Sequence, residues 1–213
     1  MSKIGNSILV ILLSCLFSVG TRAADPMEDA YREIRPVQPT HSGDRIEVLE
    51  VFWYGCPHCF VLEPYLEKWQ ADKPDDVEFR RMPGILNSGW VSHARAYYTA
   101  EKLGIVDNIH RPLFNAIHNE RKPIIQEQDL REFFVSSGGI DGNEFTRIFN
   151  SKEIDIKMRQ ALVSQQKYRI DGVPAIIVNG RYLTNGTLAR SYENIINVIN
   201  FLVEKERKEK QER

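Results

Sequence analysis

The chain has 213 residues, with 28 Lys and Arg against 29 Asp and Glu, a formal net charge of −1. That balance argues against nucleic acid as a partner, because phosphate binding wants a basic face. The length suits one domain, or one domain carrying a large insertion.

The first residues read as an export signal. Lys3 supplies a short positive start, Ile8 to Gly20 is an apolar run, and Thr21-Arg22-Ala23 offers small residues for cleavage after Ala23. The run is shorter than the roughly 20 apolar residues a membrane span needs, and no later segment comes close, so a soluble mature protein is expected. Lipidation at Cys15 is the alternative, weakened by the apolar Leu16-Phe17-Ser18-Val19 where a polar tether belongs. Cleavage would remove Lys3, Arg22 and Cys15, moving the charge to about −3 and leaving Cys56 and Cys59 as the only thiols.

Residues 25–44 are polar and broken by Pro26, Pro36 and Pro39, and read as an arm leading into the fold. Residues 46–53 are β-branched and aromatic, a mostly buried strand broken at Tyr54-Gly55. From Cys59 the pattern turns helical through Phe60, Leu62, Leu66 and Trp69 to Lys73-Pro74, and residues 77–82 form a second strand stopped by Pro83-Gly84. A strand–helix–strand unit favours a parallel pair and an α/β class.

Residues 88–169 read as helical throughout. Helices are expected from Trp90 to Leu103, then a stretch interrupted by Pro112, then 126–137, 141–150, and a longer one capped by Ser151 and running through Gln166. Strands resume at 175–178 and 181–183 around Asn179-Gly180, a strong hairpin signal. A last helix covers Tyr192 to about Val203, followed by a charged tail, 204–213, expected to fray in solvent. Asn185-Gly186-Thr187 matches a glycosylation acceptor and is read as a turn.

The chemistry is concentrated in Cys56-Pro57-His58-Cys59, where a strand ends and a helix begins. The unpaired N–H groups and partial positive charge of a helix N-terminus favour an anion, and a thiolate there is both nucleophile and leaving group in disulfide exchange. His58 adds a donor or positive charge beside it. Cys56 is therefore expected to be the exposed, attacked sulfur and Cys59 the buried resolving one. Two cysteines three apart close too small a loop to add much stability. A zinc site would need two further ligands, and the other histidines (His41, His93, His110, His118) are scattered. Pro64 falls inside the helical pattern, and Gly172-Val173-Pro174-Ala175 opens a late strand.

Strand, C-x-x-C at a helix start, a proline five residues on, and a late Val-Pro before a hairpin together resemble the thioredoxin fold. The Cys-Pro-His-Cys motif, the helical insertion and the export signal make the chain similar to the DsbA family of bacterial periplasmic thiol:disulfide interchange proteins, over nearly the whole mature length. The resemblance implies an α/β, thioredoxin-like fold with a large all-helical insertion: a signal peptide over 1–23, a thioredoxin-like domain in two parts, 24–87 and 170–213, and the insertion over 88–169. It implies a cis Val173–Pro174 bond packed against the cysteines, and makes Glu50 the family's buried acid below the disulfide. The family pairs that acid with a lysine. Arg80 and Arg81 are the candidates here, Arg81 favoured, although an arginine does not trade its proton.

The implied activity is donation of the Cys56–Cys59 disulfide to newly exported polypeptides with free thiols, with no metal or organic cofactor. Reoxidation would pass through a DsbB-like quinone-linked membrane protein, and a periplasmic monomer is expected. A reductase or isomerase using the same motif is one rival, although an isomerase of this kind usually carries a separate dimerisation domain. A chaperone-like module for extended peptide is the other.

Overall fold

The arm is more ordered than its composition suggests. The computed structural model describes residues 27–212, so the expected export segment, its expected cleavage site and Cys15 lie outside the described residues. The arm contributes β1 (Arg32–Glu33), which pairs antiparallel with Leu183 and Tyr182 at the edge of the sheet. Two polar residues carry no periodicity, so this strand had no sequence signal.

The β-branched run forms β2 (Ile46–Phe52), buried at every position. It is followed by α1 (Pro57–Asp72) and β3 (Val77–Pro83), which pairs with β2 in parallel. Five helices come next: α2 (Val91–Leu103), α3 (Val106–His118), α4 (Glu127–Gly138), α5 (Gly142–Phe149) and α6 (Lys152–Tyr168). The chain returns to the sheet as β4 (Ala175–Val178) and β5 (Tyr182–Asn185), and ends in α7 (Gly186–Ala189) and α8 (Tyr192–Gln211). Among the described residues the sheet has five strands, ordered β1-β5-β4-β2-β3.

The pleat of β2 divides the core. Ile46 and Val48 pack with Leu62 and Leu66 of α1 and with Val198 and Leu202 of α8. Leu49 and Val51 join a second cluster that continues without a break through Tyr97, Phe114, Phe134 and Phe145 of the helical insertion. The insertion is therefore fused to one face of the sheet through shared apolar contact. The hairpin follows from Asn179-Gly180: both residues have positive φ (50° and 65°), as a type I′ turn demands. A Cβ on Gly180 would lie 2.1 Å from the Gln38 carbonyl oxygen.

Three expectations need correction. Pro112 does not interrupt its helix: α3 runs through it, and burial of Ile109, Leu113 and Phe114 offsets the lost backbone bond. Asn185-Gly186-Thr187 is not a simple turn, because Asn185 caps α7 by accepting the Leu188 N–H at 2.9 Å. The charged tail does not fray at Glu204. It continues α8 to Gln211, with Glu206 buried against the Asn179 amide (2.6 Å), Glu209 paired with Arg181, and Arg207 paired with Asp76. Those partners lie on the hairpin and on the α1–β3 loop, which no local pattern could reveal. Truncation after Val203 should therefore lower stability by about 1–3 kcal/mol in urea unfolding, the scale of a few charge-assisted bonds at a partly screened surface. A loss below ~0.5 kcal/mol would mean the tail is merely solvated.

Candidate active site

β2 ends at Phe52, and Trp53-Tyr54-Gly55 turns the chain into α1. Gly55 makes room for the Trp53 ring over that turn, since a Cβ there would meet the ring at 2.3 Å and displace it. Trp53 stacks on Trp90 with ring centroids 4.4 Å apart. Two histidines of α3 hold Tyr54: His118 Nε2 lies 2.8 Å from its carbonyl oxygen, and His110 Nδ1 lies 3.0 Å from its hydroxyl. The loop is thus anchored from both sides before the first cysteine.

Cys56 is the N-cap of α1, and Pro57 occupies the first helical position, where its missing N–H costs nothing. The Cys59 amide donates to Cys56 Sγ at 3.4 Å. The Cys56 thiol is lowered to about 6: the hydrogen bond from Cys59 is the largest cause, with the Cys59 and His58 amides and the His58 charge adding to it against desolvation. Burial pushes Cys59 the other way, well above the usual thiol range. Both are free thiols in this structure. Cys56 is not the open sulfur expected from its position: 6% of the residue is exposed, against none of Cys59. The reason is the loop before β4, whose Val173 carbonyl accepts from the Cys56 thiol at 3.4 Å.

The Val173–Pro174 peptide is cis. Its loop is fixed from behind by Arg32 of β1, which donates to the carbonyls of Tyr168 and Arg169 at the end of α6 (3.0 and 2.8 Å). Beside this loop runs an open groove of about 730 Å³, lined by His58, Val173, Pro174, Leu188, Arg190 and Tyr192 among others. His58 is exposed, and its Nδ1 lies 2.7 Å from the Tyr192 hydroxyl.

Beneath the cysteines sits a buried charge cluster. Glu50 faces Arg81 across the parallel pair, and Arg81 Nε donates to Glu50 Oε2 at 2.9 Å. Arg80 instead meets Glu47 at 3.1 Å. The same Arg81 guanidinium donates to Glu63 of α1 at 3.0 Å, and Glu63 also contacts His110 Nε2 at 3.0 Å. One guanidinium cannot hold two buried carboxylates fully ionised. Glu63 has the extra His110 contact and is lowered, although burial opposes this. Glu50 loses the competition: desolvation, then the Glu63 charge, push it up to about 8 despite Arg81. Burial holds His110 below the usual histidine range. A neutral His110 that donates from Nε2 to Glu63 accepts at Nδ1 from Tyr54.

The structure brings Cys56, Pro57, His58, Cys59, Val173, Pro174 and Glu50 to one end of the sheet. Sequence reading missed Glu63, His110 and Tyr192. Glu63 lies four residues beyond Cys59, one helical turn, which could have flagged it. His110 and Tyr192 come from distant elements and carry no such signal. Among the described residues, no helix is long and apolar enough to cross a membrane, and no group of three or more His, Cys, Asp or Glu is placed to hold a metal ion.

The raised Glu50 has a signed consequence. Between about 4.5 and about 8 the unfolded chain has released this proton and the folded chain has not, so Glu50 lowers stability as pH rises through that window. Glu50→Gln should therefore gain on wild type by about 1–3 kcal/mol between pH 5 and pH 7.5 in urea unfolding of the reduced protein. An equal difference at both pH values would show that Glu50 ionises normally.

Comparison with known proteins adds an independent line. A family model described as a DSBA-like thioredoxin domain matches residues 47–195. The thiol:disulfide interchange protein DsbA of Azotobacter vinelandii is 35% identical over 198 residues, covering 90% of this chain and 92% of the relative. That of Pseudomonas aeruginosa is 33% identical over 205 residues, covering 95% and 97%. The crystal structure of Pseudomonas aeruginosa DsbA superposes with a TM-score of 0.81 at 33% identity, over 85% of this chain and 94% of that one. The oxidoreductase DsbA from Xylella fastidiosa gives 0.79 at 33% identity, over 84% and 96%. With the match spanning both the cysteine helix and the cis-proline loop, the chain belongs to the DsbA-like thioredoxin family and is a thiol–disulfide oxidoreductase.

Proposed function

We propose that this chain donates its Cys56–Cys59 disulfide to exported polypeptides in the periplasm. The observation that carries this reading is the placement of the two sulfurs: Cys56 caps α1 and accepts the Cys59 amide at 3.4 Å, which lowers its thiol to about 6, whereas Cys59 is buried and its thiol is raised. A substrate thiolate attacks Cys56 Sγ, the Cys56–Cys59 bond breaks, and Cys59 leaves with the electron pair and takes up a proton. A second substrate thiolate then attacks the substrate sulfur of the mixed disulfide, and Cys56 leaves as its thiolate. The substrate dithiol is oxidised by two electrons and the enzyme pair reduced by two. Attack falls on Cys56 because it keeps the only exposure and makes the better leaving group in the second step.

The site residues divide this work. Pro57 and the first turn of α1 present amides to Cys56, and His58 adds charge. Cis Val173–Pro174 offers a backbone edge beside the sulfurs for the substrate chain. Glu50 supplies the proton that Cys59 needs, consistent with a carboxyl held protonated near neutral pH and an Oε1 without a hydrogen-bond partner among the described residues. Val61 and Tyr65, exposed and on the same helix face as His58, give unfolded clients apolar surface next to the motif. The five-helix segment, about residues 88–169, serves as the insertion that anchors the active-site loop through α3. The redox group is the cysteine pair itself, and a DsbB-like quinone-linked membrane protein would reoxidise it.

Magnitude limits what the thiolate alone can do. A thiol lowered to about 6 stabilises the reduced form at pH 7 by ~1.4 kcal/mol over an ordinary thiol, equivalent to ~30 mV in a two-electron couple. Cys59→Ser should trap mixed disulfides with reduced, unfolded client protein, while Cys56→Ser should form none. Alkylation of the reduced enzyme should fall at Cys56 with a midpoint near about 6 and leave Cys59 untouched. Equal trapping by both variants, or an alkylation midpoint near that of a free thiol, would contradict the assigned roles.

A further inference from the structure

The contact between His58 and Tyr192 joins the active-site helix to α8 across 134 positions of sequence, at 2.7 Å. Tyr192 is well placed to hold something still. It opens α8, whose first turn is fixed by Ser191 accepting the Asn194 N–H at 3.0 Å. Its ring also lies against Tyr65 of α1, with centroids 6.1 Å apart. His58, by contrast, is exposed on the first turn of α1, where an imidazole without a partner would sample several rotamers.

We propose that Tyr192 is a positioning residue for the redox reaction, acting on Cys56 through His58. The proposal rests on the reading of Cys56–Cys59 as the reacting pair. The phenolic oxygen accepts from Nδ1–H when the imidazole is charged, and the hydroxyl donates to Nδ1 when it is neutral, so the contact survives either state. Tyr192 stays neutral beside the imidazole: burial and the neighbouring Cys56 sulfur hold its own ionisation off. Held in one place, the His58 ring keeps its charge interaction with Cys56 fixed, which favours the thiolate and with it the reduced pair. Tyr192 also lines the groove beside Val173 and Pro174, so a client chain lying there touches the residue that holds His58.

The test is a double-mutant cycle read by equilibration with glutathione. Tyr192→Phe removes one oxygen and keeps the ring against Tyr65. It should make the pair less oxidising by about 2–3-fold in the equilibrium constant, a fraction of the tenfold that the whole Cys56 shift supplies. It should also raise the pH midpoint of Cys56 alkylation. In a His58→Ala background the same substitution should change neither quantity. No shift in the wild-type background, or an equal shift in both, would overturn the proposal. The wild-type value in the same experiment separately decides disulfide donation, so failure of one reading is distinguishable from failure of the other.

Discussion

One contact organises the site: the sulfur of Cys56 occupies the N-cap of α1 and receives the Cys59 amide at 3.4 Å. An N-cap is normally a serine, threonine or aspartate oxygen satisfying an orphan amide. Here a thiol does that work, and it does it better as an anion. The helix therefore favours the thiolate, and the reduced state with it. Everything around the motif serves that geometry. β2 delivers the chain, Gly55 makes room for the Trp53 ring, Pro57 starts the helix, and two histidines of α3 fix Tyr54 just upstream.

The second sulfur is governed by opposite physics. Cys59 lies inside the protein, so its thiol resists ionisation, and burial, with the Glu63 charge adding to it, holds the carboxyl below it raised despite Arg81. The salt bridge to Arg81, taken alone, would have argued for an ionised Glu50. Desolvation and the second carboxylate outweigh it. Under the proposed disulfide donation, a buried acid kept neutral would stand ready for the departing Cys59 thiolate, with the arginine setting charge and Glu50 alone handling the proton.

Much of this was legible in the chain. The central strand, the cysteine helix, the parallel partner and the hairpin at Asn179-Gly180 follow from local pattern, and the fold resemblance pointed to Glu50 and to a cis Val173–Pro174. The preference for Arg81 over Arg80 also holds, since Arg81 sits directly opposite Glu50 in the β2–β3 register. What stayed hidden depends on contacts between distant segments. Strand β1 is two polar residues whose only signal is their partner in β5. The last two turns of α8 look like a solvated charge run until Asn179, Arg181 and Asp76 are seen opposite. Pro112 reads as a helix breaker because the apolar face that overrides it is packed by other elements. Tyr192 and His110 are an ordinary aromatic and an ordinary histidine until the fold brings them to His58 and Glu63.

The most direct measurement is the reduction potential of the Cys56–Cys59 pair, by equilibration against glutathione buffers at pH 7. The account predicts a potential above about −270 mV, that of a thioredoxin-type reductant, with the thiolate held at the helix start supplying ~30 mV of the difference. A value near about −270 mV would contradict disulfide donation and make the chain a reductase.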